Sequence, residues 1–269
     1  MITVIFTCFN RKEKTIRCIK SLVEGNPSLQ FSFVVLDDAS TDATAEAIER
    51  LYQIGDSATV LRGDGNSYWA GGMRKAIAYA KEHTKSEHYL LVNDDVEFVP
   101  HAVETLLREY EPHTALVGAM KDQNGAFSYG GVRYTRGIHY VEVKPTDSNR
   151  ACDAFNMNCL LIDQAVFMEM PNFDIHYMHS LADFDYGLEM KRRGIRILVA
   201  SEYAGVCHKN DASGGWTDRT LSRRARLRQK ESVKGAPFRP WFYFLKKNFG
   251  MGQAILHGFT PYVRILLGK

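Results

Sequence analysis

A chain of 269 residues is long enough to bury a substantial core as one large domain. With 45% hydrophobic and 24% charged residues and no low-complexity block, it is neither disordered nor fibrous. A net charge of +3 is too small to imply nucleic acid, and no stretch reaches the ~18 apolar residues that a membrane-spanning helix requires.

Ile2 to Cys8 reads as a buried strand, and Thr15 to Glu24 as a helix with Ile16, Ile19, Leu22 and Val23 on one face. Ile2 to Phe9 is apolar but short, lacks a basic leader and runs into Asn10-Arg11-Lys12, so it is not a secretory signal. Phe31 to Leu36 is a second strand, followed by "DDASTDAT" and a helix carrying Ala47, Ile48 and Leu51. Ala58 to Leu61 is a strand, Gly71 to Lys81 a helix, Tyr89 to Val92 a strand, His101 to Tyr110 a helix and Ala115 to Met120 a strand. Near-continuous apolar strands alternating with helices predict a mostly parallel sheet covered on both faces.

From about Asp122 the pattern changes. "GAFSYGGVRYTRGIHYVEVK" alternates and carries glycine turns, which predicts antiparallel hairpin strands. Asp163 to Met170 and Leu181 to Arg193 read as helices, with a strand at Ile195 to Ala200. From about Ser213 the chain reads as amphipathic helices, which sets a core at 1–212 (halves 1–120 and 121–212) and an extension at 213–269. Five scattered cysteines, Cys8, Cys18, Cys152, Cys159 and Cys207, include no C-x-x-C pair. They exclude a disulfide framework or a structural zinc site and fit a reducing, cytoplasmic setting.

Ligands of open α/β sheets bind outside the carboxyl ends of the strands. Three of those ends are polar here: Thr7 to Arg11, Asp37-Asp38, and Asn93-Asp94-Asp95. No G-x-G-x-x-G follows the first strand and no G-x-x-x-x-G-K-[ST] occurs, which excludes the dinucleotide and phosphate-loop fingerprints. Gly71-Gly72 in "GDGNSYWAGG" either lets a backbone approach a ligand or makes a turn.

"VIFTCFNR", "VVLDDASTDAT", "LLVNDDV", "ADFDYGLEMKRRG" and "VCHKND" occur in an order and spacing that resembles the family 2 glycosyltransferases, over residues 1 to about 211. "WFYFLKKNF" is similar to a feature of their bacterial polysaccharide and rhamnosyltransferase branch. The resemblance implies the GT-A fold, with its Rossmann-like central sheet, and transfer of a sugar from a nucleotide-diphosphate donor.

Carried over residue by residue, the family's pattern assigns Thr7, Asn10 and Arg11 to the base and diphosphate region, and Asp38 to the pyrimidine N3–H. Asp38 also reads as part of a turn and helix start. Asn93-Asp94-Asp95 falls on the D-x-D motif, with Asn93 replacing its first Asp. Asp95 is then the principal carboxylate for Mn²⁺ or Mg²⁺, and Asp94 a contact to the donor sugar or ribose. Asp183 falls on the catalytic base, with Ala182 in place of the family's Glu. The S-x-x-D spacing from Ser180 equally describes a helix cap. His208 stands where the family has a late histidine that meets metal or diphosphate, although a lone His is more often packed or at the surface. Trp69 either stacks on a sugar or fills the core; Arg74 either pairs with donor phosphate or is solvated.

The expected activity is inverting, metal-dependent transfer to a hydroxyl of a glycan or lipid-linked acceptor, in bacterial surface polysaccharide synthesis. A sugar-1-phosphate nucleotidyltransferase would need a Gly-rich basic loop where "TCFNR" stands, and a non-catalytic binding module would need no base. Arg223, Arg224, Arg226 and Arg228 precede "PWFYFLKKNFGMGQAILHGFTPYVRILLG". Basic and apolar residues so interspersed predict peripheral contact with an anionic membrane on its inner face, or else packing on the core or on a second copy in a homodimer. No RNA-binding motif accompanies them.

Overall fold

The computed structural model describes residues 1–51, 57–209 and 213–269. Its first half alternates strand and helix: β1 (Ile2–Cys8), α1 (Lys12–Glu24), β2 (Phe31–Asp37), α2 (Thr44–Leu51), β3 (Ser57–Arg62), α3 (Tyr68–His83), β4 (His88–Val92), the short β5 (Glu97–Phe98), α4 (Ala102–Glu109) and β6 (Thr114–Lys121). Then come β7 (Phe127–Tyr129), β8 (Gly131–Arg136), β9 (His139–Val143), β10 (Ala151–Cys152), β11 (Ala154–Phe155) and β12 (Cys159–Asp163). The chain continues through α5 (Gln164–Glu169), α6 (Ala182–Arg192), β13 (Arg196–Val206), α7 (Arg223–Lys230), α8 (Phe238–Phe249) and α9 (Met251–Leu266).

The main sheet runs β3-β2-β1-β4-β12-β6-β13-β10. β1 pairs in parallel with β2, from Ile2 opposite Phe31 to Cys8 opposite Asp37, and with β4 on its other side. The sequence reading lacks β12. This strand enters antiparallel between β4 and β6, with Cys159 opposite Val92 and Leu160 opposite Val117. A short, wholly buried apolar run carries no alternation to mark it as a strand, still less its direction. β8, β9 and β11 form a separate antiparallel sheet, the hairpin region expected after Asp122.

Strand periodicity divides the core between the two faces. Ile5, Tyr89 and Leu91 face one layer with α3 and α6, whereas Val4, Phe6, Leu90 and Val92 face the other with α1 and α4. All five cysteines are free and buried.

The C-terminal helices belong to the first layer: Phe244, Leu245 and Ala254 are buried in the same cluster as α3 and α6. Within the basic run of α7, Arg226 is buried and donates to the Trp216 and Lys269 carbonyls. Lys230, fully buried, reaches Glu231 and the Tyr262 hydroxyl. Both therefore do structural work, while Arg223, Arg224 and Arg228 stay exposed. Among the described residues no helix is long and apolar enough to cross a membrane.

Candidate active site

Parallel pairing brings the carboxyl ends of β1, β2 and β4 to one edge of the sheet. Because β12 runs the other way, its entry rather than its exit lies there, and the Asn93 N–H donates to the Asn158 carbonyl. β13, parallel to β6, delivers Cys207 and His208 to the same edge. Around this edge lies a cavity of about 480 Å³, lined by Arg11, Trp69, Asp94, Asp95, Asp183 and His208 among others. These six are the predicted site residues that tertiary structure brings together.

The two carboxylates after β4 converge on one cation. Arg11 Nη1 lies 3.3 Å from Asp94 Oδ1 and 3.1 Å from Asp95 Oδ2. Asp94 is buried and also accepts from the Thr15 hydroxyl at 3.2 Å; burial pushes its carboxyl up to about 6 against the pull of Arg11. Asp95 is the more open of the two, with a quarter of its side chain exposed. Burial works against the Arg11 charge, but Asp94 and Asp95 outweigh it and raise its pKa. Asn93 does not point its oxygen at this cluster: Oδ1 accepts from Trp69 Nε1 at 2.8 Å. That bond and the Phe173 ring, 5.6 Å away, fix the indole in the cavity wall.

Oxygen donors and a site already built for positive charge are what a hard divalent cation requires. Asp94 and Asp95 fit it. Among the described residues, however, no group of three or more His, Cys, Asp or Glu forms a complete metal cage. The Cys207 thiol lies 3.7 Å from Asp95 Oδ1, and burial together with Asp95 pushes it up to about 12. His208 is exposed on the cavity wall, while Asn210 and Asp211 of the "VCHKND" segment lie outside the described residues.

Asp183 stands in the first turn of α6 and faces the same cavity. It is not the helix cap. Leu181 holds that position with a left-handed φ of 75°, and no side chain caps the helix. Asp183 Oδ1 instead accepts from the Phe184 N–H at 2.9 Å, and burial pushes its carboxyl up to about 6. A carboxylate with a pKa near the operating pH suits a general base. Asp185 faces away from the cavity, buried between Lys247 Nζ at 2.7 Å and Asn248 Nδ2 at 2.9 Å of α8.

Four predicted donor residues do not line this cavity, and each has an internal task. Thr7 donates to the Leu36 carbonyl at 3.0 Å beneath α3. Asn10, at φ 50°, joins two loops by accepting from the Thr41 N–H at 2.7 Å. Asp38 accepts from the Gly65, Ser67 and Tyr68 N–H groups, so it neutralises the N-terminus of α3 and keeps at most one acceptor position for a ligand. The Arg74 guanidinium donates to the Phe173 and Tyr177 carbonyls at 3.1 and 2.6 Å, binding α3 to the loop before α6. The glycine pair lies inside α3 rather than in a turn. A Cβ on Gly72 would stand 2.3 Å from Thr7 Oγ1, so this glycine lets α3 pack closely on β1.

Other lining residues carried no local signal. Tyr134 and Tyr140 come from the hairpin sheet, and Trp241, Phe244 and Phe249 from α8. The last three belong to or adjoin "WFYFLKKNF", the one clue the sequence offered. His179 is also on the wall. Burial pushes it down to about 4, helped by the nearby Lys234 and Arg11 charges, and its Nδ1 is buried without a hydrogen-bond partner.

Comparison with known proteins agrees with this geometry. The family model for glycosyl transferase family 2 matches residues 3–167. Comparison with curated protein sequences gives no significant match. Among solved structures, a mannosyltransferase from Pyrobaculum calidifontis in complex with GDP-Man and Mn²⁺ superimposes with a TM-score of 0.59 at 14% identity, over 99% of this chain and 73% of that one. S. aureus TarS (residues 1–349) superimposes with a TM-score of 0.59 at 17% identity, over 98% and 80%. Its complex with UDP gives 0.56 at 18%, over 96% and 74%. At such identities these structures establish the GT-A fold, and the family match establishes the chemistry. The chain belongs to glycosyl transferase family 2 and is a GT-A glycosyltransferase that uses a nucleotide-sugar donor.

Proposed function

We propose that the protein is an inverting, metal-dependent glycosyltransferase that moves a sugar from a UDP- or dTDP-linked donor to a hydroxyl of a glycan or lipid-linked acceptor, in bacterial surface polysaccharide synthesis. The observation that carries this is the shared cavity of Asp183 and the Asp94-Asp95 pair. Asp183, with its carboxyl raised to about 6, takes the proton of the attacking hydroxyl. Arg11 and Asp94 orient the donor's diphosphate and sugar, and Trp69 offers a flat apolar wall to the sugar. Asn10 and Asp38 border the nucleoside, Asp38 through its one spare acceptor position. Asp95, with His208 alongside, would hold a Mn²⁺ or Mg²⁺ ion, whose charge would offset that of the departing diphosphate. The Mn²⁺ and GDP-Man of the mannosyltransferase and the UDP of TarS support this assignment by likeness of fold.

Residues 1–212 form the transfer unit in this reading, and 213–269 complete its acceptor side. A rhamnosyltransferase-like role rests on "WFYFLKKNF". Membrane contact on the cytoplasmic face is supported by Ile255, Leu256, Phe259, Val263 and Leu266, all exposed on α9, together with the exposed arginines of α7. Assembly as a homodimer through that face is the competing use. The test is Asp183→Asn: transfer is lost while a UDP- or dTDP-sugar still raises the melting temperature. Normal turnover by the variant overturns the assignment.

A further inference from the structure

Next to the catalytic cavity lies a second one of about 650 Å³, between the loop before α6 and helices α8 and α9. Its walls are largely apolar: Met178, Val233, Pro240 and Pro261 contribute, with Trp216 at one side. The two cavities share a wall. Ile138, His179, Ser180, Leu181 and Trp241 line both. Trp241 is held in this partition by donating Nε1 to the His257 carbonyl at 3.0 Å.

The polar groups around the second cavity are unevenly satisfied. Glu231, its one carboxylate, is taken up by Lys230, the Tyr262 hydroxyl and the Phe238 N–H. Arg264 lines the cavity and Lys234 stands close enough to act on the His179 charge. Among the described residues no carboxylate pairs with either cation. His179, on the shared wall, buries an Nδ1 that has no hydrogen-bond partner. A buried polar atom left unsatisfied is costly and calls for a partner from outside. A dry apolar wall, unpaired cations at its edge and an orphaned ring nitrogen on the wall shared with the Asp183 cavity together describe a site for an amphiphile.

We propose that this second cavity receives the apolar chain of the acceptor, with an anionic group, such as a phosphate joining chain to sugar, at Arg264 and Lys234 and within reach of His179. The sugar hydroxyl then passes the partition and meets Asp183. The proposal rests on the glycosyltransferase reading with Asp183 as base, and it identifies the acceptor as an amphiphile rather than a free glycan.

The probe is a series of alkyl phosphates, hexyl to decyl, below their micellar concentrations. They are titrated into the full chain with fluorescence from Trp216 and Trp241 as the signal. Affinity should rise by roughly tenfold for each two methylenes added, as burial of a methylene chain predicts, and inorganic phosphate alone should not bind. Thr260→Trp and Ala236→Trp, which fill the cavity from two different walls, should each weaken octyl phosphate at least tenfold. Arg264→Gln should weaken octyl phosphate but not octanol. Either filling variant suffices, provided its melting temperature matches the parent.

Affinity independent of chain length, equal binding of inorganic phosphate, or unchanged binding to a folded filling variant overturns the proposal. Donor hydrolysis by the same preparations separates the two readings. Loss of alkyl phosphate binding with normal, Asp183-dependent donor turnover removes only the cavity assignment. Donor turnover that is absent, or indifferent to Asp183→Asn, removes the transferase reading.

Discussion

Lys247 of α8 places its ammonium 2.7 Å from Asp185, two residues beyond Asp183, and so fastens the C-terminal helices to the helix that carries the candidate base. Asp185 is buried, and Asn248 is its other partner from α8. Lys247→Ala leaves that carboxylate half-satisfied in the interior. A loss of about 2–4 kcal/mol is expected, read as a fall of roughly 5–10 °C in melting temperature. Activity should fall further than stability explains, because Phe244 and Phe249 of the same helix line the catalytic cavity. The double variant Asp185→Asn/Lys247→Met should recover stability; if it is no better than Lys247→Ala, the pair is not what holds α8.

Asp183 ties activity to pH and opposes stability. Its carboxyl is raised to about 6 in the folded chain, above the usual carboxylate value. Transfer should therefore rise as pH increases through about 6 and level off above it. The sign for stability is opposite. A raised folded pKa means the native state holds the proton longer, so stability declines as pH rises from about 4 to about 6, and the full penalty remains above that. Asp183→Asn should thus be more stable than the parent at pH 7.5 by on the order of 2 kcal/mol, since water in the open cavity softens the burial, and nearly equal to it at pH 4.5. Denaturant melts at both pH values check the difference. A variant less stable at pH 7.5 contradicts it.

Arg11 occupies the position between Asp94 and Asp95 that a divalent cation would share. Removing its charge in Arg11→Gln leaves two carboxylates without their counter-ion. Calorimetric titration without donor should show tighter Mn²⁺ binding than in the parent, by roughly three- to tenfold. Donor affinity should drop, because the guanidinium is then lost from the diphosphate. Asp95→Asn should abolish Mn²⁺ binding in the same experiment. Equal Mn²⁺ affinity in parent and Arg11→Gln would mean the two cations do not compete.

Gly72→Ala sets two effects against each other. Alanine favours a helix over glycine by about 1 kcal/mol, but its Cβ would lie 2.3 Å from Thr7 Oγ1 and 2.8 Å from Thr7 Cβ. Thr7 cannot turn aside without losing its bond to the Leu36 carbonyl. Overpacking costs of about 1–3 kcal/mol should therefore win, giving a net loss. Adding Thr7→Ala should restore part of it by removing the hydroxyl oxygen that the new Cβ meets most closely. Stabilisation by Gly72→Ala alone would show that the helix rides higher on the sheet.

Local pattern was enough for most of the architecture. Strands alternating with helices over the first 120 residues, buried on both faces, specify a parallel sheet, and polar residues at three strand ends mark the edge where the candidate site lies. The adjacent acids Asp94 and Asp95, and Asp183 before an amphipathic helix, were legible because their residue types are costly in those places without a ligand or a reaction. β12 was not. Its apolar run is compatible with either direction, and only pairing with both β4 and β6 decides it.

Tertiary structure decided the rest, because a side chain's task depends on what folds against it. Asp38 and Arg74 look like ligand-binding charges in one dimension; in three, one caps α3 and the other binds backbone carbonyls before α6. His179 looks unremarkable in sequence, yet the loop carries it to the wall shared by two cavities. The sequence by itself determined the kind of fold and pointed to the carboxylates of the candidate site, since both follow from periodicity and from the cost of charge near a core. Which residues enclose the site was decided only when α8 and the hairpin sheet closed over it, for those contacts join positions far apart in the chain, such as Tyr140 with Phe184 and Tyr134 with Phe249, and leave no local trace.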